Sequence, residues 1–433
     1  MSRSPILLGI TGLVLAVVAG ASCSSPDSGG SGAASGTTQG AGGGSPTSSA
    51  SGDGVGGGFN PTGGGGAGGG ANSCATDPTL DDDKDGFIEP EDCNDCDPNV
   101  NPGALEVVVT EPGMDGVVPA PADEDCDAQI DNVLPLCDDN LALEDGDPMN
   151  GAKAIDICQQ ASGNKWGVIS ADYVRANGTK APQSAQFGLL DGFGPSVKVQ
   201  LGQRMLGLSS GHARTPGQPE ACNTHQCPGY NLGEAPPGFP QNAPNCQQSD
   251  VIRDDVGFQV KLRAPKNATG YKYVFKFYSF EFAEYVCTAF NDQYIALVDP
   301  PPMGSLNGNI SFDNNKNPVS VNIAFFEVCD PNANDFASKC MSGCPQKPNP
   351  YCPNGAAELV GTGFADGWGE DAGATVWLQS QAPIAGGEEF TIRFAIWDTQ
   401  DQIYDSTVLV DGFQWIATGG TVTVGTGEVP NPK

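Results

Sequence analysis

This chain predicts an all-β fold: a β-sandwich or jelly-roll-like main domain with disulfide-tied loops, preceded by a small irregular calcium-binding segment and a disordered linker. Three observations carry the expectation. Apolar residues alternate with other residues in short runs, as at Tyr271, Tyr273, Phe275 and Phe277, the period-two signature of a strand with one buried face. Gly, Pro and Asn punctuate the gaps between such runs, and that spacing marks turns rather than long helical crossovers. Cysteines number 15 in 433 residues, a usage that fits an exported, disulfide-bonded chain.

Residues 1–22 read as a signal peptide. Arg3 is followed by an apolar run, Ile6 to Val18, and then by Ala19, Gly20, Ala21, Ser22 and Cys23. A basic start, a short apolar core and a small-residue cleavage zone are the parts of a secretory leader. The run falls short of the ~20 residues that a membrane span needs. Residues 23–73 are mostly Gly, Ser, Ala, Thr and Pro, with Val55 and Phe59 as the large apolar residues. Such a stretch buries too little to offset its ordering entropy and reads as a leash. Its r.m.s. span is ~40 Å, from ~5–6 Å × √n.

Charge and cysteine parity bound the partners. Lys plus Arg is 20 and Asp plus Glu is 52, a formal net charge of −32. Nucleic acid is therefore excluded as a partner, and cations are favoured. The two histidines, His212 and His225, exclude His-rich metal sites. Setting Cys23 aside leaves an even number of cysteines, enough for seven disulfides. A cysteine just after a leader resembles the lipobox of bacterial lipoproteins, although Gly20 stands where that motif usually has Leu. The resemblance implies acylation of Cys23 and attachment to the outer membrane through an N-terminal lipid. Cleavage after Ala21 without acylation is the alternative and gives a secreted protein.

Residues 74–136 form the acidic segment. Nine carboxylates and one cation, Lys84, lie between Asp81 and Asp97. At ~5 Å, neighbouring carboxylates repel by ~3 kcal/mol per pair at an effective dielectric of about 20. A segment closed by Cys74, Cys93, Cys96 and Cys126 therefore needs a cation. Asp81, Asp83, Asp85, Glu89 and Asp92 fall at positions 1, 3, 5, 9 and 12 of a calcium loop, with Gly86 at 6 and the Phe87 carbonyl at 7. Hard oxygen donors of this number favour Ca²⁺ over Mg²⁺. Pro98 and Pro102 forbid the helix that would follow in an EF-hand. The run Asp97-Pro98-Asn99-Val100-Asn101-Pro102-Gly103-Ala104-Leu105-Glu106 resembles instead the MopE-type metal-binding motif of bacterial surface proteins. That resemblance implies further ligands at Asp95, Asp97, Asp123, Asp125 and Asp127. Val107 to Ala122 looks inserted, and Glu124 and Ala128 replace a usual Asn and Gly.

Residues 137–418 are the main domain, with a flexible tail at 419–433. A helix is expected near Asn150 to Gln160. Strands are expected at Tyr271–Phe277, Val319–Phe325, Thr375–Leu378, Phe390–Ile396 and Thr407–Trp415, with disulfide-tied inserts at 213–250 and 329–352. Asp147-Pro148 to Cys158, Ala171–Val174, Gln186–Leu190, Leu208–Gly211, Ser279–Val286, Phe290–Asp292, Ile396–Asp401 and Tyr404–Ser406 together resemble the choice-of-anchor L domain of bacterial surface proteins. The resemblance implies surface display rather than a reaction.

The remaining motifs have competing readings. Gly207-Leu208-Ser209-Ser210-Gly211 fits a nucleophile-elbow pattern but lacks the following helix and a late His, so it reads as a turn. Cys222-x-x-His225-x-Cys227 offers zinc ligands, yet exported cysteines pair as disulfides. Glu281, Glu284, Asn291 and Asp292, with Asp398, Asp401 and Asp405, are loop carboxylates, a second calcium site, or a glycosidase acid and base. Trp166, Trp368, Trp377, Trp397 and Trp415 read as core rather than as a sugar-stacking face. The expected function is that of a surface-tethered, calcium-binding, non-enzymatic lipoprotein of adhesion or surface architecture, with polysaccharide or a surface protein as ligand. The alternative is a secreted or anchored carbohydrate-active enzyme.

Overall fold

The computed structural model describes residues 77–433 apart from 113–115, 180–181, 223, 228, 230–231, 245, 324, 331–351 and 365–371. The leader, the leash and Cys23 thus lie outside the described residues. All described residues belong to one compact unit, Asp53–Lys433.

Thirteen strands follow one another in the described chain: β1 (Gly167–Val174), β2 (Phe187–Leu190), β3 (Met205–Ser209), β4 (Ile252–Arg263), β5 (Gly270–Ser279), β6 (Gln293–Asp299), β7 (Val319–Ser320), β8 (Phe326–Cys329), β9 (Gly373–Thr375), β10 (Leu378–Pro383), β11 (Glu389–Thr399), β12 (Ser406–Ile416) and β13 (Gly425–Glu428). They form two antiparallel sheets. One runs β1-β4-β11-β6-β7; the other runs β13-β10-β5-β12-β3-β2, with β9 added on β5 and β8 on β9. The all-β expectation holds.

The sheets pack through alternating residues. Tyr271, Tyr273, Phe275 and Phe277 of β5 are fully buried, as are Ile392, Phe394 and Ile396 of β11. Tyr273 meets Phe394 edge-on at 5.0 Å, and Tyr271 stacks on Phe390 at 4.8 Å. These geometries contribute beyond area burial. The Tyr273 hydroxyl is partnered by Ser311 at 2.6 Å, so its burial carries little polar cost. The opposite face of β5 is covered as well. Val274 and Tyr278 pack with Leu409, Phe364 and Trp377 in a second cluster, which explains why Lys276 is buried and bonds Glu358 at 2.7 Å.

Several boundaries differ from expectation. Helix α1 is short, Pro148–Lys153, capped by Asp147; Asp156 has φ +70° and Cys158 is bonded to Cys137, and a left-handed residue ends a helix. Val319–Phe325 is not one strand. After Ser320 the chain turns, because the Ser320 hydroxyl takes the Asn322 amide and the Asn322 carboxamide binds Cys287 and Asn291. Val321 and Ile323 stay buried without a ladder. Thr375 to Leu378 is likewise broken, ending β9 and starting β10. Residues 419–433 contain β13, whose Glu428 and Thr426 pair with Leu378 and Ser380. Among the described residues no strand falls between Ser209 and Ile252, where the first insert lies, and Cys222–Cys227 and Cys246–Cys287 tie that insert. Cys329–Cys352 closes the second. Trp166, Trp377 and Trp397 are buried; Trp368 lies outside the described residues.

Replacing Phe394, fully buried between the sheets, by Ala leaves a cavity that ought to cost about 3–5 kcal/mol. Urea unfolding of the purified chain measures it; a loss under 1 kcal/mol would mean that the two sheets do not pack through this residue.

Candidate metal centre and carboxylate clusters

The acidic segment folds around its own side chains. Asp81 accepts the amides of Lys84 (2.6 Å) and Gly86 (3.0 Å), Asp83 that of Asp85 (3.1 Å), and Asp85 that of Phe87 (2.8 Å). Short acidic side chains turn the chain this way because they bond their own backbone. Gly86, at φ +102°, supplies the left-handed corner that glycine adopts without strain. Asp81 spends both oxygens on the backbone, whereas Asp83 and Asp85 each use one and leave the other for the centre. Asp81, Asp83 and Asp95 bring one oxygen apiece within 4.8 Å of one another, and so do Asp83, Asp85 and Asp92. Asp92 and Asp95 are buried. The second oxygens of Asp83, Asp85 and Asp92 are buried with no hydrogen-bond partner of normal geometry, although the Asn101 carboxamide lies close to Asp85. Burial is the main cause that pushes the Asp83 and Asp92 carboxyls up to about 6, with repulsion from neighbouring carboxylates adding to it.

A second loop repeats the first. Asp123 accepts the amides of Asp127 (3.1 Å) and Ala128 (2.9 Å), as Asp81 does with Lys84 and Gly86. Ala128 occupies the corner at φ +69°, where the first loop has Gly86. Glu106, Asp123 and Asp125 converge within 4.8 Å, as do Glu106, Glu124 and Asp131. Cys93–Cys126 ties the loops together. Glu106 and Glu124 join as groups that the loop pattern alone does not nominate. The signal for Asp131 is its place, ninth from Asp123 as Glu89 is from Asp81. Three expected ligands stand apart from the triads. Glu89 is half-exposed, Asp97 caps Asn99, and exposed Asp127 bonds Gln129 and Asn132. Phe87 is buried, with Lys266 Nζ 5.7 Å above its ring. Lys266 also donates to the Asp85 carbonyl (3.0 Å), and its amide to Gly103 (2.8 Å). Asn267 exchanges bonds with Leu105. The segment is thus fastened to the turn between β4 and β5.

The other candidate carboxylates gather at the opposite end of the sandwich. Asp254 is near the start of β4, Glu281 follows β5, Asp292 precedes β6, Asp398 ends β11 and Asp405 precedes β12. All five are buried. Glu281 accepts the Asp292 amide (3.0 Å); Asp292 accepts Thr399 N (2.9 Å) and Ser406 Oγ (2.7 Å); Asp405 accepts Cys227 N (2.7 Å). Burial raises Glu281, Asp398 and Asp405 well above the ordinary carboxyl range and Asp292 to about 7. Glu284 and Asp401 are half-buried at the margin. Asp254 was not legible as a member; its left-handed φ of +51° breaks the strand pattern that would flag it. Ser209 of the elbow-like motif is hydrogen-bonded to Ser406 and Gly211, and Cys222 and Cys227 are paired.

Residues 208–414 match the family model of the choice-of-anchor L domain. The matched stretch runs from β3 to β12 and holds all five buried carboxylates. It points to an exported, surface-associated protein. No curated protein and no solved structure matches the chain.

A third group, Asp156 and Asp411, generates a pH dependence. Burial and mutual repulsion push Asp156 up to about 7 and Asp411 to about 8. A folded-state value above the unfolded one, ~3.9, contributes stability that is complete below pH ~4 and is lost as pH rises through 7–8. Unfolding free energy should therefore fall between about pH 4 and 8, by up to about 1.4 kcal/mol per pH unit for each proton released. Asp411→Asn should flatten that slope; denaturant melts across the range compare the two.

Proposed function

We propose that this is a surface-tethered, calcium-stabilised, non-enzymatic protein, anchored to the outer membrane through acylated Cys23 and serving adhesion or surface architecture. The observation that carries the calcium reading is the set of buried second oxygens on Asp83, Asp85 and Asp92 that have no hydrogen-bond partner of normal geometry within two converging triads. Buried charges left unpaired are costly, and hard oxygens at this spacing suit calcium. The repeat of the loop around Asp123 supports a second ion in the same MopE-like segment. The match over residues 208–414 supports display at a surface. The leader and leash support export and a tether.

The bound ion would hold the loops closed and the segment against Lys266 and Asn267. Its chemistry is structural: charge neutralisation of the crowded carboxylates. At 100-fold over Kd, calcium should add ~2.7 kcal/mol and raise the melting temperature, and a chelator should reverse the gain. Asp83 belongs to both triads of the first loop; Asp83→Asn should remove most of the calcium-dependent gain of that loop. Calorimetric scans with calcium and with chelator decide it, and superimposed wild-type curves would overturn the reading.

The tether has its own check. Cys23→Ser should move the protein from the membrane fraction to the medium after cell fractionation. Retention of the variant in the membrane would overturn the lipid anchor.

A further inference from the structure

The five carboxylates at the far end of the sandwich belong to no function derived so far. Asp254, Glu281, Asp292, Asp398 and Asp405 are each 5% exposed or less. They come from both sheets, because antiparallel strands bring the start of β4, β6 and β12 and the end of β5 and β11 to one edge. Asp398 is the centre of the group: Asp292, Asp405 and Asp254 all act on it electrostatically. Among the described residues, the hydrogen-bond donors that reach Glu281, Asp292 and Asp405 are neutral, namely backbone amides and the Ser406 hydroxyl, and the Gln402 carboxamide donates to Asp254. Among the described residues, Glu281, Asp292, Asp398 and Asp405 make no salt bridge. Arg253 faces Asp401 at the margin.

Asp398 is the telling side chain. It is 1% exposed, and neither of its oxygens has a hydrogen-bond partner of normal geometry, although the Ser210 hydroxyl lies close by. A buried carboxylate in that state is costly unless it is neutralised. A proton shared between Asp398 and Asp292 serves one oxygen of Asp398, leaves the other bare, and does nothing for Asp405. A divalent cation answers both needs at once. We propose that this carboxylate nest binds a hard divalent cation of calcium's class, with Asp398 as the direct ligand, the Ser210 hydroxyl beside it, and the charges of Asp292, Asp405 and Asp254 around the ion.

The donor set is all oxygen, which excludes soft metals and fits calcium. In contrast to the N-terminal triads, no three of these carboxylates among the described residues bring one oxygen each within 4.8 Å. The ion is therefore shared by fewer carboxylates at once, with hydroxyl, carbonyl and water oxygens completing the roughly six to eight that calcium takes. Gly211 forms one wall: a Cβ there would lie 2.2 Å from Asp405 Oδ2, so the backbone presses directly on that carboxylate.

Metal analysis of the full chain, loaded with calcium and desalted, tests the nest separately from the N-terminal loops. In a variant with those loops neutralised by Asp83→Asn and Glu106→Gln, at least one calcium should remain, and adding Asp398→Asn should remove it. Melting supplies the second readout. Asp398→Asn should melt below wild type in calcium but at or above it in chelator, because the substitution removes a ligand in one case and a repelling charge in the other. No calcium on the loop-neutralised variant would overturn the proposal. So would an Asp398→Asn protein that keeps its calcium and melts at or above wild type in both buffers, the behaviour of a shared proton. Should Asp398→Asn fail to fold, Asp405→Asn gives the same contrast.

Discussion

Crowded carboxylates are the constraint around which this molecule is organised. With 52 acidic and 20 basic residues, most acidic groups find no side-chain cation, and the chain brings them together rather than spreading them. Backbone amides are its first remedy. Asp411 takes the amides of Gln200, Leu201 and Gly412 on its two oxygens. Hydrogen bonds to the charged form favour it and offset part of the burial that raises Asp411, so both oxygens of that group have partners. Asp398 and the second oxygens of Asp83, Asp85 and Asp92 receive nothing of the kind. That asymmetry separates structural turn-formers from groups arranged for something else.

The sandwich gives the two acidic regions their positions. The turn between β4 and β5 carries Lys266 and Asn267, which grip the N-terminal segment. The other ends of the same two strands carry Asp254 and Glu281. One pair of strands therefore spans from one carboxylate group to the other. Between them lies the aromatic core, where Tyr271, Tyr273 and Phe275 are fully buried. A core of this density moves little, so each end is held in register by the same rigid frame.

The fold class was legible because period-two alternation needs one residue on each face, and β5, β11 and β12 display it openly. The longest strand, β4, carries the same signal at Val256, Phe258, Val260 and Leu262. Where side chains satisfy the backbone, the alternation misleads: Val321 and Ile323 are buried in a turn that Asn322 and Ser320 hold together. The first metal loop could be read from spacing because its ligands are local in sequence. Glu106 and Asp254 could not, since only tertiary packing brings them to their clusters. Glu89 and Asp97 had the right spacing, yet Asp97 is spent on capping Asn99.

The carboxylate nest also bears on how the domain holds its first insert. Asp405 receives the Cys227 amide, and its own amide donates to the His225 carbonyl, so the loop closed by Cys222–Cys227 rests directly on a nest carboxylate. Tyr404, the next residue, packs on the His225 and Tyr285 rings at 5.0 and 5.5 Å. Charge compensation at Asp398 and Asp405 therefore acts on the placement of the insert through one hydrogen-bonded pair and one ring cluster. Loops set on a rigid sandwich end are where binding surfaces are commonly built. An ion in the nest would order that surface from beneath without touching a ligand.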